Sequence, residues 1–139
     1  MAVQQIGNGG MNLASDRLVM VVDDDRSQCD VLAAFFKERG IACVTETNSF
    51  VAVSTMKKRH PRVALMDIRM PGLDGIAVAK LASTMRPRPV ILLMSGEGQA
   101  IVEANRAGIE VFAVLEKPLP LRHLGTFIQR AIDRAAGPT

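Results

Sequence analysis

Three aspartates stand in a row at Asp23, Asp24 and Asp25, directly after the apolar run LVMVV at 18–22. Asp67 follows a second such run, VALM at 63–66; Ser95 and Gly96 follow VILLM at 90–94, and Glu116, Lys117 and Pro118 follow VFAVL at 111–115. Adjacent carboxylates repel, and burial raises the cost of ionising them. A run of this kind is therefore a solvated turn, or it faces something positive. Carboxylates crowded together with room for water suit Mg²⁺, which takes few protein oxygens and keeps several waters. Without a cation the cluster would titrate as a coupled set with at least one raised apparent pKa.

Whether these residues meet depends on the elements that carry them. The apolar runs, with IACV at 41–44 as a fifth, are bounded by charge, Gly or Pro and are too short for helices. They read as buried strands. The 41–44 run ends in Thr45 and Glu46, with no partner motif. Helical spacing fills the gaps. Cys29, Leu32 and Phe36, with Val31 and Phe35, make one apolar face; Phe50, Val53 and Met56 make a second. Ile76, Ala79 and Met85 with Leu81 give a third, 98–107 is a short candidate, and Leu121, Leu124, Ile128, Ala131, Ile132 and Ala135 form the clearest stripe. Gly40 and Gly108 are placed to end the first and fourth helices, and Asp74 to cap the third.

Strand and helix thus alternate five times. Uninterrupted apolar strands joined by helices mean a parallel sheet covered on both faces. Right-handed crossovers make it a doubly wound α/β domain of three layers. Function in such sheets gathers at the carboxyl ends of the strands, which is where every residue of the opening set falls.

Composition narrows the function classes. The chain has 139 residues, 48% hydrophobic and 22% charged, the balance of one folded domain. With no Trp or Tyr and a net charge of +3, it offers little to nucleic acid; the one dense basic run, Lys57–Arg59, reads as a solvated helix end. Cys29 and Cys43 lie inside apolar patterns and read as buried thiols of a reducing compartment. No apolar run approaches the roughly 20 residues that span a bilayer, and the N-terminus lacks a signal-peptide pattern. The expected location is cytoplasmic. Residues 1–16, polar and Gly-rich, and 137–139 are expected as tails around a domain at 17–136. His60 and His123 read as surface residues, and the methionines as core fillers.

The motifs VVDDD, LMDIRMPGLDG, LLMSGEG and EKP resemble the four signature regions of the response-regulator receiver domain, in order and each after an apolar run. The likeness covers about Leu18 to Ala135. It implies a flavodoxin-like (βα)5 sheet of order 2-1-3-4-5. It further implies that Asp67 is the phosphoacceptor, receiving a phosphoryl group from a histidine kinase or histidine phosphotransfer protein. Asp23, Asp24 and Asp67 with the backbone carbonyl of Arg69 would hold Mg²⁺. Lys117 would pair with a phosphoryl oxygen, Ser95 would hydrogen-bond the phosphoryl group, and Gly96 would offer an unobstructed N–H. Asp25 receives no ligand role. Pro118 would follow a cis peptide bond. A homodimer on phosphorylation, an effector domain or a downstream protein are the partners implied, with no membrane and no direct nucleic-acid contact.

Two features depart from the pattern. Many receivers carry Tyr or Phe three residues before the lysine; here that position is Val114, with Phe112 expected on the same face by alternation. Arg69 and Glu97, each two residues past a site residue, are expected to pair across the pocket mouth. A rival reading takes DDDRS as the start of a haloacid-dehalogenase-like phosphatase, with Asp23 as nucleophile and Asp25 as general acid. That family needs further acids after its lysine, where only Asp133 follows, and it leaves Asp67 without a role. A third reading is a phosphate-independent interaction domain.

Overall fold

Strand and helix alternate along the whole described chain. The computed structural model describes residues 17–136, and the tails expected at 1–16 and 137–139 lie outside the described residues. Strands β1 (Val19–Val22), β2 (Cys43–Glu46), β3 (Val63–Asp67), β4 (Val90–Ser95) and β5 (Ala113–Glu116) alternate with five helices. These are α1 (Arg26–Glu38), α2 (Ser49–Arg59), α3 (Gly75–Ala82), α4 (Gly98–Arg106) and α5 (Leu121–Ala136). All strand pairs are parallel, in the order β2-β1-β3-β4-β5.

Side-chain alternation along the strands builds two apolar layers. Val19, Val21, Leu65, Leu92 and Met94 meet α1 and α5 through Leu32, Phe36, Leu124 and Ile128. Met20, Val22, Met66 and Leu93 meet the other helices through Ala52, Met56, Val78, Ala82 and Ala104. Central β1 and β3 are buried at every position, whereas β2, at the sheet edge, is only half-buried. The run at 41–44 is therefore not a fully buried strand, and pairing starts two residues late. Gly40, at φ +69°, closes α1. Its N–H donates to Lys37 O and that of Ile41 to Phe36 O, at 3.1 and 2.9 Å. This double bond pattern stops the helix and commits Ile41 to it. Cys29 is buried, but Cys43 on the edge strand is half-buried rather than buried.

Several helix faces are narrower than their apolar residues suggest. Val31, Phe50 and Leu81 are 50%, 60% and 43% exposed. Each lies one position off a buried grid, formed on α1 by Cys29, Leu32 and Phe36, on α2 by Ser49, Ala52 and Met56, and on α3 by Val78, Ala79 and Ala82. One residue is about 100° around a helix, enough to leave the core. Phe112 also corrects the expectation. It packs in the α1/α5 layer with Ala113 and Leu115, while Val114 packs in the other. Regular alternation begins only at Ala113, where β5 begins.

Candidate functional site

The parallel register brings the strand ends level. Val22 stands beside Glu46 and Met66, Asp67 beside Met94, and Ser95 beside Glu116. The side chains expected at one edge of the sheet accordingly lie together there.

The three consecutive aspartates separate at once. Asp23 is fully buried. Its Oδ1 accepts from the Asp25 N–H at 3.0 Å and its Oδ2 from Lys117 Nζ at 2.8 Å. Asp24 is exposed. Asp25 caps α1, its Oδ1 accepting from the N–H groups of Ser27 and Gln28 at 2.9 and 3.3 Å. A carboxylate at a helix N-terminus satisfies backbone donors that would otherwise lack partners.

Asp67 closes β3 and is 6% exposed. Burial raises its pKa above the ordinary aspartate value, and the charge of Asp23 adds to the rise; the Lys117 ammonium and the Arg69 N–H offset part of it. Lys117 Nζ lies 3.3 Å from Asp67 Oδ2 as well as bonding Asp23. Burial works against this ammonium, but the hydrogen bond to Asp23 and the charges of Asp23 and Asp67 outweigh it and hold its pKa above the usual lysine range. The Lys117 N–H donates to Ser95 O at 2.8 Å, which ties β5 to β4 at the site, and the Lys117–Pro118 peptide bond is cis.

The loops around the pocket are held by specific contacts. Ser49, buried at the start of α2, donates its hydroxyl to Pro71 O at 3.2 Å and accepts from the Leu73 N–H at 3.1 Å. It thereby clamps the loop after Asp67 from a distance of more than twenty residues, and sequence reasoning missed it. Asp74 caps α3 by accepting from the Ala77 N–H at 2.8 Å, as expected. Ser95 is buried; its Oγ donates to Glu97 O at 3.0 Å and accepts from Glu97 N–H at 2.9 Å, so its hydroxyl is engaged by its own loop. Gly96 is exposed, with open space where a Cβ would stand.

Arg69 does reach Glu97, with Nε 3.6 Å from Oε2. Its close partner is another residue, Glu103 on α4, at 2.6 Å from Nη2. That bond joins the loop after β3 to α4 and had no signal in local spacing.

One oxygen from each of Asp23, Asp24 and Asp67 lies within 4.8 Å of the others. Three carboxylates face one ammonium, so the cluster carries an excess of negative charge that a divalent cation would balance. The donors are all hard oxygens, and one of the three side chains is exposed to solvent. This set fits Mg²⁺, which retains water ligands.

Residues 19–129 match the family described as response regulator receiver domain. The chain belongs to that family. This receiver is 33% identical over 118 residues to the DNA-binding transcriptional regulator NtrC of Escherichia coli K12, covering 84% of this chain and 25% of NtrC. It is 34% identical over 117 residues to the regulatory protein AtoC of the same strain, covering 83% and 25%. The chain therefore spans about a quarter of the length of these curated relatives. Among solved structures, the beryllofluoride-activated NtrC4 receiver domain dimer superposes with a TM-score of 0.76 at 25% identity, over 86% of this chain and 98% of that one. A CheY-like receiver from Methanospirillum hungatei, TM-score 0.77 at 21% identity over 86% and 96%, shares the fold.

The receiver is thus a phosphoacceptor signalling module of two-component systems, a family in which Mg²⁺ is typically bound at acidic residues. The phosphatase reading finds no support: the carboxylate it needs as general acid, Asp25, is the cap of α1. Among the described residues, no helix is long and apolar enough to cross a membrane.

Proposed function

We propose that Asp67 is the phosphoacceptor of this receiver and that its phosphorylation switches partner binding. The carrying observation is the buried Asp67 carboxylate held 3.3 Å from Lys117 Nζ, in a cluster whose other acids are Asp23 and Asp24. One carboxylate oxygen of Asp67 attacks phosphorus of a phosphohistidine on a kinase or phosphotransfer protein. The new P–O bond forms as the P–N bond breaks, and the imidazole leaves with a proton. A carboxylate is a competent nucleophile once the phosphoryl charge is neutralised.

Asp23, Asp24, Asp67 and the backbone carbonyl of Arg69 would hold Mg²⁺, which supplies neutralisation of the phosphoryl oxygens when bound. Asp23 does more than ligate. Its hydrogen bond to Lys117 orients the ammonium that pairs with the incoming phosphoryl group. Ser95 would exchange its bonds to Glu97 for one to a phosphoryl oxygen, with the Gly96 N–H beside it, and that exchange pulls the loop before α4 inward. Asp67 slowly loses the group again, and we assign the chain no separate output activity. A cytoplasmic histidine kinase or phosphotransfer protein is the partner upstream, and an effector domain or separate protein the partner downstream. Dimerisation on phosphorylation is supported by the NtrC4 neighbour, which is a dimer in its beryllofluoride-activated form.

The test measures incorporation of phosphate from acetyl phosphate into the wild-type chain, Asp67→Asn and Asp23→Asn, with and without Mg²⁺. Incorporation that requires both Mg²⁺ and Asp67 supports the reading. Undiminished incorporation in Asp67→Asn contradicts it.

A further inference from the structure

The loop between Asp67 and α3 carries the Arg69 carbonyl, and backbone bonds pin its two ends. The Ile68 N–H donates to Met94 O and the Gly75 N–H to Ile68 O, both at 2.9 Å. Met70 is buried in the same apolar layer as Ala52 and Val78. The turn that follows needs more, because Gly72 stands at φ +80°. Glycine populates both signs of φ about equally, so contacts from outside the loop must select this one.

Those contacts come from the first turn of α2. The Ser49 hydroxyl donates to Pro71 O at 3.2 Å and accepts from the Leu73 N–H at 3.1 Å, so one buried side chain bridges the residues on either side of Gly72. The neighbouring Phe50 ring lies over Gly72 itself, with Cε2 2.7 Å from the position a Cβ would take. This contact gives a role to a large apolar side chain that the core does not take up.

The first turn of α2 is itself tied to the other half of the aspartate site. Asn48 Oδ1 accepts from the N–H groups of Phe50 and Val51 at 2.9 and 3.1 Å, and the Asn48 N–H donates to Glu46 Oε1 at 3.2 Å. Glu46 ends β2, and its carbonyl accepts from the Asp23 N–H at 3.1 Å. A continuous series of bonds therefore runs from Asp23 at the end of β1 to the loop that carries the Arg69 carbonyl.

We infer, resting on the Mg²⁺ ligand set proposed above, that Ser49, assisted by Phe50, is a positioning residue for the cation. It fixes the loop so that the Arg69 carbonyl is presented together with the three carboxylates. Mg²⁺ demands near-ideal octahedral geometry, so a carbonyl on an unclamped loop is a poor ligand. Asp23 and Asp67 are held independently by Lys117. Removing the clamp should therefore lower affinity without abolishing it. Groups outside the ligand shell that orient ligands change metal affinity about 10–100-fold when lost. Ser49 acts through a stretch of backbone and belongs at the lower end.

The test follows amide NMR shifts of the full chain during titration with MgCl₂, with no phosphodonor present. The wild type should show saturable shifts at Asp24, Asp67 and Arg69. Ser49→Ala should raise the half-saturating Mg²⁺ concentration about tenfold, and Phe50→Ala, in an exposed side chain, about threefold. With acetyl phosphate added, the Mg²⁺ concentration for half-maximal phosphorylation should rise by the same factors, while the rate at saturating Mg²⁺ stays within about twofold of wild type. Ile132→Val, in the core of α5, is the stability control; it should lower Tm and leave the Mg²⁺ titration unchanged. Half-saturation within about twofold of wild type in Ser49→Ala, or in Phe50→Ala should Ser49→Ala not fold, would overturn the role of the clamp and leave the ligand set standing. An equal loss in Ile132→Val would overturn it as well. A wild type without saturable shifts at Asp24 and Asp67 would overturn the ligand set, and the clamp's role with it.

Discussion

Replacing Gly75 by alanine tests how tightly α3 is built against the end of β3 at Asp67. In an ordinary helix this change stabilises by up to about 1 kcal/mol, because alanine loses less backbone freedom on folding. Here a Cβ at Gly75 would stand 2.3 Å from Asp67 O and 2.9 Å from both Asp67 C and Ile68 Cα. Ordinary contact begins near 3.4 Å, so the backbone must separate by about 1 Å, and neither partner is the end of a flexible side chain. The Gly75 N–H donates to Ile68 O at 2.9 Å, which resists that separation. Forced overpacking costs about 1–3 kcal/mol, and a backbone clash belongs at the upper end. After the helix gain is subtracted, a net loss of about 2 kcal/mol remains. For a domain of this size that lowers Tm by roughly 6–12 °C. Thermal unfolding followed by circular dichroism measures it, with Gly98→Ala as the control. Gly98 opens α4 with nothing within 4 Å of its missing Cβ, so its Tm should hold or rise. Because Asp67 is the residue displaced, Gly75→Ala should also slow Mg²⁺-dependent phosphorylation in the fraction that stays folded. A Tm equal to or above wild type for Gly75→Ala would refute the packing argument.

Other outcomes follow from the same geometry. Asp24→Asn should abolish Mg²⁺-dependent phosphorylation, whereas Asp25→Asn should alter it only modestly, because asparagine caps a helix as well as aspartate does; Asp25→Ala should instead lower stability by about 1 kcal/mol in denaturant titration. Equal losses of phosphorylation in the two Asn variants would mean the cluster is misassigned. Arg69→Ala and Glu103→Gln should each shorten the half-life of the phospho-form with little change in stability, since solvent screens an exposed ion pair; an unchanged half-life in both would remove the ion pair from any role at the pocket mouth. Burial, with the neighbouring Cys29 adding to it, pushes the Cys43 thiol up to about 11 from an ordinary 9.0. At pH 8 its thiolate fraction is then about 100-fold below that of a free thiol. Iodoacetamide should label it correspondingly slowly, with the rate still climbing above pH 10; labelling as fast as a free cysteine peptide would contradict the burial argument.

The sheet was legible because its central strands are buried on both faces. Val19–Val22 and Val63–Met66 are apolar without interruption, and nothing else of that length forms a stable element there. The candidate site was legible for the same reason: its residues lie within two positions of such a run, so locating the strand ends located Asp23, Asp67, Ser95 and Lys117. Helix faces were harder. Apolar residues such as Val31, Phe50 and Leu81 lie close enough to the buried stripe to be taken for core. The Phe112–Val114 relation failed because alternation holds only within a paired strand, and Phe112 lies outside it. Contacts between distant segments left no local trace. Ser49 reaches the loop after Asp67, and Glu103 reaches Arg69. The dense basic run visible in the sequence, Lys57–Arg59, is the last turn of α2.

The proposed phosphoacceptor, Asp67, is one of four aspartates near the sheet edge. Reacting the chain with acetyl phosphate and Mg²⁺, reducing the acyl phosphate with borohydride and sequencing the labelled peptide locates the phosphoryl group to a residue. Homoserine at position 67, at close to one per chain and at no other aspartate, is the predicted result. Label at position 23 or 25, or none there or at 67 with a donor known to phosphorylate other receivers, would contradict it.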